Sequence, residues 1–378
     1  MTLGDERTPA VVHVIHHLEP GGAERRLLSL LGSLDRSRYR PLLVCVDRVG
    51  ALAPEAHALG LDPVVLGRGA RWDVSGVRRL ARIVRTERAS IVHGWLFLGN
   101  AFARVGGQLG RAPVLIASEG AAITTFSATR LVVGRTVETL LAPLTNAFIA
   151  NSEATAAGMR RLGVPARKID VIHNGVALSP PLDDEERTRL RRELGVSDAT
   201  PLVVMVARLD PAFKDHSTFL RAMALLPQAR AAVVGDGSGR QAAERLAAEL
   251  GIGDRVVFTG FRSDAARVVA AADVSVLLTY SEGFSNVVLE SMAAGVPVVA
   301  TDIPSNREAI RDGADGLIVA VGSAEATADA IGSFLAHPEL ARAVSAAARV
   351  RIAKQFSLEA QAERTMALYD RLLSTRRR

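Results

Sequence analysis

The stretch VSVLLTYSEGFSNVVLESMAAGVPVVA, residues 274–300, holds two apolar runs on either side of a helical segment. The runs 274–278 and 296–300 are rich in β-branched residues, which favour strands. Ser285 or Asn286 can cap the helix between them, and Gly295 can close it. A strand, a helix and a second strand in this order predict parallel strands joined by a crossover helix.

Two carboxylates in this stretch follow the first strand. Glu282 lies in the loop, and Glu290 lies about one turn into the helix. Both are therefore expected near one end of a sheet, where ligands of open α/β proteins bind. Glu282 could simply be a solvated loop residue. The apolar neighbours of Glu290 leave that helix little solvent-exposed surface, so a purely solvated role explains Glu290 poorly.

Short β-branched runs alternate with helical segments along all 378 residues, and this length exceeds what one core usually supports. The runs are residues 11–15, 41–46, 63–66, 91–93, 114–117, 147–150 and 169–172, then 202–206, 231–234, 256–259, 274–278, 297–300 and 317–320. We predict an α/β protein with two doubly wound, Rossmann-like domains at residues 1–178 and 179–355. A C-terminal helix at 356–378, with a basic tail, is expected to pack on the first domain.

Composition indicates a soluble globular protein, with 48% apolar and 23% charged residues. The sequence has no uninterrupted apolar run long enough to cross a membrane, and its first residues lack the apolar core of a secretory signal. The expected location is the cytoplasm, with peripheral binding to the inner face of the cell membrane left open. Cys45 lies in an apolar run and is expected to be buried.

The net charge of +6 suggests an anionic partner, such as nucleotide phosphates or an anionic membrane surface. Only three of the 46 basic residues are lysines, Lys168, Lys214 and Lys354, which indicates a compositional preference for arginine. The number of arginines is therefore weak evidence for such a partner. A lysine at a chosen position is correspondingly informative.

Cations and glycines follow other predicted strands. Gly21 and Gly22 follow the first strand, Arg208 and Lys214 follow the strand at 202–206, and Gly235 opens a glycine-rich loop. Glycines let a backbone approach an anion closely, and the two cations suit a diphosphate above a helix N-terminus. Ordinary turns and solvated cations are the alternative.

The pattern Glu282-Gly-Phe-x5-Glu290-x-Met-Ala-x-Gly295-x-Pro297 resembles the Glu-x7-Glu signature of retaining glycosyltransferases of family four, which have the two-domain GT-B fold. The agreement extends to Arg208 and Lys214 with their spacing. Further matching segments are residues 21–24, 91–93, 151–152, 171–176, 235–237, 259–261 and 272–274. The resemblance covers nearly the whole chain and is strongest over 200–302.

The resemblance implies two domains facing a central cleft, with a UDP- or GDP-linked sugar held mainly by the second domain. It assigns Glu290 to the ribose, Glu282 to the donor sugar, and Arg208 and Lys214 to the diphosphate. Glu282, Arg208 and Lys214 are the expected catalytic residues. The donor-binding set is completed by Gly21, Gly22, Gly235, Gly260, Gly283, Phe284 and Ser285.

The implied reaction is retaining transfer of a hexose to a glycan or lipid-linked acceptor in cell-surface polysaccharide synthesis. No metal or other cofactor is expected, because the two cations can neutralise the diphosphate. The sequence does not specify the base, the sugar or the acceptor.

The sequence departs from the family where many members carry a histidine near the donor sugar. Ser118, Glu119 and Gly120 stand there instead. Four residues are candidates for lining the cleft, although lone histidines and tryptophans at strand ends more often serve packing. They are His16, His93, Trp95 and Glu119.

Other functions remain open at this point. One is a GT-B epimerase or phosphorylase, and another is a non-catalytic protein that binds anionic lipid through a degenerate site. The pairing of Arg208 and Lys214 with Glu282 and Glu290 favours a transferase. Nucleic acid is not an expected partner, because 4% aromatic residues offer few stacking platforms.

Overall fold

The computed structural model describes residues 8–67, 75–120, 128–178 and 180–377, without the side chains of 128–131 and 377. The chain forms two compact units. Unit 1 runs to Gly175 and resumes at Leu358, and unit 2 is Val176–Ser357. The boundaries predicted from sequence, 178/179 and 355/356, lie within three residues of these points.

Unit 1 contains a seven-stranded parallel sheet in the order β3-β2-β1-β4-β5-β6-β7. Its strands are β1 (Ala10–Ile15), β2 (Arg40–Cys45), β3 (Val64–Val65), β4 (Ile91–Trp95), β5 (Val114–Glu119), β6 (Ala147–Ala150) and β7 (Ile169–Val171). Its helices are α1 (Gly22–Ser33), α2 (Ala53–Ala58), α3 (Ser75–Thr86), α4 (Leu96–Gly110), α5 (Ala128–Leu141), α6 (Glu153–Arg161) and the last helix of the chain, Leu358–Arg377.

Unit 2 contains a six-stranded parallel sheet in the order β10-β9-β8-β11-β12-β13. Its strands are β8 (Leu202–Val206), β9 (Arg230–Val234), β10 (Val256–Gly260), β11 (Val274–Leu277), β12 (Val298–Thr301) and β13 (Leu317–Val319). Its helices are α7 (Asp184–Glu193), α8 (His216–Ala224), α9 (Arg240–Glu249), α10 (Ala265–Ala270), α11 (Asn286–Ala294), α12 (Pro304–Ala309), α13 (Ala324–Ala336) and α14 (Pro338–Gln355), so the last helix of the chain is α15.

Both sheets are buried on their two faces, which explains why their strands read as continuous apolar runs. All thirteen runs predicted from the sequence form strands, and the prediction of two Rossmann-like sheets is confirmed. Cys45 is fully buried, and burial raises the pKa of its thiol to about 12. In each unit the strand order reverses at one point, between β1 and β4 and between β8 and β11. Ligands of doubly wound sheets bind at this reversal, outside the carboxyl ends of the strands.

Helix α15 completes the core of unit 1. Its apolar residues Ala362, Met366, Leu368 and Tyr369 belong to the same buried cluster as residues of β1 and β5, namely Val11, Ile15, Val114 and Ile116. The helix also contacts α1. This helix therefore covers part of one face of the first sheet, beside α1.

Candidate functional site

The loops after β8 and β11 are joined at the strand-order reversal of unit 2. Lys214 and Thr279 form an isolated antiparallel bridge, and the amide of Tyr280 donates to the carbonyl of Phe213 at 2.9 Å. The Thr279 hydroxyl donates to the same carbonyl at 2.8 Å. These backbone contacts hold the loop that carries Lys214 against the loop that leads to Glu282.

Two further sets of hydrogen bonds hold these loops in place. Thr301, at the end of β12, accepts from the amide of Thr279 at 3.0 Å and donates to its carbonyl at 2.8 Å. Asp215 caps α8 by accepting from the Thr218 amide at 3.0 Å, and the Tyr280 hydroxyl hydrogen bonds to the same carboxylate. Sequence reasoning missed Tyr280, Thr279 and Thr301, although an aspartate before an apolar helix is a recognisable capping signal.

Lys214 and Glu282 form an ion pair at this junction, with their side chains 15% and 23% exposed. The structure therefore brings together one predicted diphosphate ligand and one predicted sugar ligand. Burial lowers the pKa of Lys214 to about 8. The adjacent carboxylate favours the charged ammonium, so the pair is ionic at neutral pH.

Helix α11 carries Glu290 and is fixed against the sheet. Ser285 occupies its N-cap position and Gly295 closes it with φ of 74°, as predicted. The Ser291 hydroxyl donates to the hydroxyl of Ser275 on β11 at 2.7 Å. Glu290 is half-buried one turn into this helix.

The residues between Glu282 and the helix are buried. Gly283, Phe284 and Ser285 form the turn, and the Phe284 ring lies 5.5 Å from that of Phe356. This packing holds the start of α11 in place. Backbone N–H groups at a helix start are suited to anionic or polar ligands.

Gly235, directly after β9, and Gly260, the last residue of β10, have conformational reasons to be glycine. A Cβ at Gly235 (φ 137°) would lie 2.1 Å from the carbonyl oxygen of Ala207, which follows β8. The amide of Gly235 donates to the carbonyl of Gly260 at 2.9 Å, and Gly260 has φ of 71°. The ends of β8, β9 and β10 therefore lie close together. Arg208, beside Ala207, is exposed at this edge.

In unit 1, Gly21 is the N-cap of α1 and Gly22 is its first residue. A Cβ at Gly21 would lie 2.3 Å from Oε2 of Glu24, so glycine leaves room for that carboxylate at the helix start. His16, after β1, is half-buried, and its Nε2 lies 2.5 Å from the Asp47 carboxylate. The roles predicted for Gly21, Gly22 and His16 stay predictions.

His93 and Trp95 lie inside unit 1. His93 is fully buried, and its ring nitrogens hydrogen bond to the hydroxyls of Tyr369 and Ser118, both at 2.7 Å. The indole N–H of Trp95 donates to Nδ1 of His13 at 3.2 Å. These contacts give both residues a packing role, and their place in a cleft stays a prediction.

Glu119 is the last residue of β5 and receives a hydrogen bond from Nδ2 of Asn100 at 2.6 Å. Burial raises the pKa of Glu119 to about 7. Asn100 also donates to the Ser118 carbonyl at 3.0 Å and so fixes the end of this strand. The structure therefore gives the residue that departs from the family pattern a defined position at a strand end.

Within the described ranges, no cluster of three or more histidine, cysteine, aspartate or glutamate side chains is placed to bind a metal ion. Over the same residues, no helix combines the length and apolarity that a membrane crossing needs.

Comparison with known proteins identifies the family. The model for glycosyltransferase family 4 matches residues 20–179, and the model for glycosyl transferases group 1 matches residues 186–351. EpsD of Bacillus subtilis (strain 168), whose name classes it as a glycosyltransferase, is 31% identical over 304 residues, covering 78% of this chain and 79% of EpsD. The chain is a group 1 glycosyltransferase.

Other relatives of this group 1 glycosyltransferase are more distant or match over less of their length. The D-inositol 3-phosphate glycosyltransferase of Mycobacterium leprae (strain Br4923) is 39% identical over 216 residues, which cover 54% of this chain and 50% of the relative. The crystal structure of Anabaena Alr3699/HepE, solved with UDP and glucose, superposes with a TM-score of 0.85 at 22% identity over 96% of this chain and 99% of HepE. This likeness and the two parallel sheets confirm the predicted GT-B fold class.

Proposed function

We propose that this glycosyltransferase moves a hexose from a UDP- or GDP-linked donor to a glycan or lipid-linked acceptor, with retention of anomeric configuration. The observation that carries the proposal is the ion pair between Lys214 and Glu282 at the strand-order reversal of unit 2. The crystallised neighbour HepE binds UDP and glucose. LpsE of Rhizobium meliloti (strain 1021), named for lipopolysaccharide core biosynthesis, is 33% identical over 218 residues and supports a cell-surface glycan as the product.

Each predicted donor ligand has a chemical role at this edge. Glu290 would accept hydrogen bonds from both ribose hydroxyls, because a carboxylate offers two oxygens. Glu282 would bind hydroxyls of the donor sugar beside the turn at Gly283. Arg208 would hold the diphosphate with its planar fork, and Lys214 would hold it with a compact charge. The donor would therefore replace the ion pair between Lys214 and Glu282. Its diphosphate would contact Lys214, and its sugar would contact Glu282.

The cations would act most strongly in the transition state. As the bond between the anomeric carbon and the phosphate oxygen breaks, negative charge grows on the leaving diphosphate. Arg208 and Lys214 stabilise that charge without a metal ion. The acceptor oxygen bonds to the anomeric carbon on the same face, and its proton passes to the departing phosphate oxygen. No protein nucleophile is needed in this scheme.

The proposal is tested by the anomeric configuration of the product and by the effect of removing metal ions. We expect UDP- or GDP-hexose to be consumed at an unchanged rate in excess EDTA, because the two cations supply the charge that a divalent ion would otherwise supply. Water serves as the acceptor in this assay. The NMR signal of the product's anomeric proton is recorded before the product mutarotates. An inverted product would contradict the scheme. Loss of activity in EDTA with rescue by Mg²⁺ or Mn²⁺ would contradict it equally.

An anionic membrane surface is the partner proposed for unit 1. Helix α3 exposes Arg78, Arg79, Arg82 and Arg85, and α5 exposes Val132, Val133 and Leu140. Both helices pack against α4, so basic and apolar side chains lie on the same side of the sheet. This combination favours binding at the interface of anionic lipids.

We expect the protein to sediment with vesicles containing phosphatidylglycerol and not with phosphatidylcholine vesicles at low salt. Replacing Arg78 and Arg82 together by glutamine should reduce the bound fraction, because each basic residue near such a surface contributes about 1 kcal/mol. The control exchanges Arg245 and Arg342, exposed in unit 2, in the same way. Equal sedimentation with both lipids would refute the proposal.

A further inference from the structure

Arg26 is a buried cation that has no carboxylate partner among the described residues. It lies on α1 and is 6% exposed. Its guanidinium lies over the Trp95 ring at 5.2 Å, and its Nη2 donates to the carbonyl of Ile172 at 3.4 Å. Its Nε is buried and, in the part of the chain that the structure describes, has no hydrogen-bond partner.

Other buried arginines of this chain are neutralised by carboxylates. Arg104 forms a bidentate ion pair with Glu138 at 2.7 and 2.9 Å, and Arg191 pairs with Asp273 at 3.1 Å. Removing a charge from water is costly unless an opposite charge and hydrogen bonds replace the solvent. Burial lowers the pKa of Arg26 to about 10, which reflects this cost. Arg26 thus lacks the compensation that the fold supplies at comparable positions.

The guanidinium lies where three strands of unit 1 end. Trp95 is the last residue of β4, Gly120 directly follows β5, and Ile172 directly follows β7. This is the carboxyl edge of the sheet, where ligands of doubly wound folds bind. The position of Arg26 is therefore that of a ligand contact as well as of a packed side chain.

Gly120 leaves space beside this cation. A Cβ built on Gly120 would lie 3.7 Å from Nη1 of Arg26 and 3.3 Å from Nδ2 of Asn151. A larger side chain would extend from a Cβ atom that already contacts both nitrogens. With glycine here, residue 120 itself places no side chain beside the guanidinium.

We propose that Arg26 binds an anionic group of the acceptor, a phosphate or a carboxylate, at the carboxyl edge of β4 and β5. The inference rests on the proposed transfer function and specifies its acceptor as an anionic molecule. A guanidinium donates charge-assisted hydrogen bonds to the oxygens of such a group, and Nη1 is the nitrogen that lies beside Gly120. The Trp95 ring holds the guanidinium plane in position for this contact.

The test uses Trp95 as a reporter. The sequence has two tryptophans, so Trp72→Phe leaves Trp95 as the single one. In this background, inorganic phosphate or acetate, titrated against chloride at constant ionic strength, should change the fluorescence of Trp95 saturably. Arg26→Met should raise the apparent Kd at least tenfold. The matched control is Arg25→Gln, because Arg25 is the exposed neighbour on α1 and lies 3.8 Å from Glu55.

Thermal unfolding separates a ligand site from a packing role. An uncompensated charge predicts that Arg26→Met unfolds at the same or a higher temperature than the parent without phosphate, and that phosphate no longer stabilises it. A lower unfolding temperature with phosphate binding retained would assign Arg26 to packing and overturn the inference. If Arg26→Met does not fold, Gly120→Ala decides, since its methyl group should weaken the binding at least threefold.

A response specific to phosphate would identify a phosphate-bearing acceptor, and one specific to acetate would identify a carboxylate. The absence of any saturable response in the parent would refute the site. Stabilisation by UDP or GDP is measured on the same variants, because Glu290, Glu282, Arg208 and Lys214, the main predicted donor ligands, lie in unit 2. If a nucleotide stabilises every variant while neither anion binds, the anion site fails and the proposed function stands.

Discussion

Lys214→Arg lowers kcat by roughly 10- to 100-fold, the expected result for a charge-assisted hydrogen bond made mainly in the transition state and contributing about 1.5 to 3 kcal/mol. In a sequence that uses arginine for almost every cation, a lysine here indicates that a compact charge fits better than a planar fork. Lys214 is 15% exposed beside Glu282, so the longer guanidinium has little room. The donor KM should change less than kcat.

The measurement follows release of nucleoside diphosphate as the donor concentration is varied. Lys354→Arg is the matched control, because Lys354 is exposed on α14. Lys168 is unsuitable, since its ammonium donates to the carbonyls of Ala142 and Thr145 at 2.9 and 2.6 Å and so has a structural role. If Lys214→Arg turns over like the parent, the argument for a compact charge is wrong.

The protonation state of Lys214 should limit activity at high pH. With its pKa lowered to about 8 by burial, Lys214 is charged below that pH and loses its proton above it. The value of kcat/KM for the donor should therefore fall about tenfold per pH unit above pH 8, because only the ammonium stabilises the charge that grows on the departing diphosphate. Arginine stays protonated, so this fall should be absent from the residual activity of Lys214→Arg. A parallel decline in both proteins would assign the titration to another group.

Glu290→Ala should raise the donor KM by roughly 10- to 100-fold, because it removes hydrogen bonds to a charged group that are made equally in the bound donor and the transition state. Glu282→Ala should lower kcat instead, since this carboxylate is expected to orient the reacting sugar. Glu290 is half-buried on a helix fixed to β11 by the contact between Ser291 and Ser275, so the binding geometry is preorganised.

Glu249→Ala, which changes an exposed glutamate on α9, is the control. Both constants are measured with the donor varied, after circular dichroism confirms folding. Unchanged constants in Glu290→Ala would show that the ribose assignment is wrong.

The strands were predictable because parallel sheets demand continuous apolar, β-branched runs, and these runs are local in sequence. One boundary shows the limit of this signal. The run at 91–93 stops at Gly94, yet β4 continues to Trp95, with Gly94 paired to Val14 and Ala117. A Cβ at Gly94 would lie 2.6 Å from Cα of Asn100, so close packing of α4 requires glycine within this strand. Composition alone cannot reveal that requirement.

Contacts between distant segments were not predictable in the same way. Only the family signature predicts that Lys214 and Glu282 belong to one site, because 68 positions separate the two residues. The hydrogen bond between His93 and Tyr369 joins positions 276 apart, and no local sequence pattern indicates it. Arg26 lies in an ordinary amphipathic helix, and only its three-dimensional surroundings distinguish it from the exposed Arg25.

The packing of α15 into unit 1 has a consequence for synthesis on the ribosome. The strands of unit 1 are translated first, but the helix that covers part of one face of their sheet is translated after the whole of unit 2. Tyr369, fully buried against Tyr39 and His93, cannot reach its place until it has left the exit tunnel. The part of the unit 1 core that α15 fills therefore stays open until unit 2 has been translated.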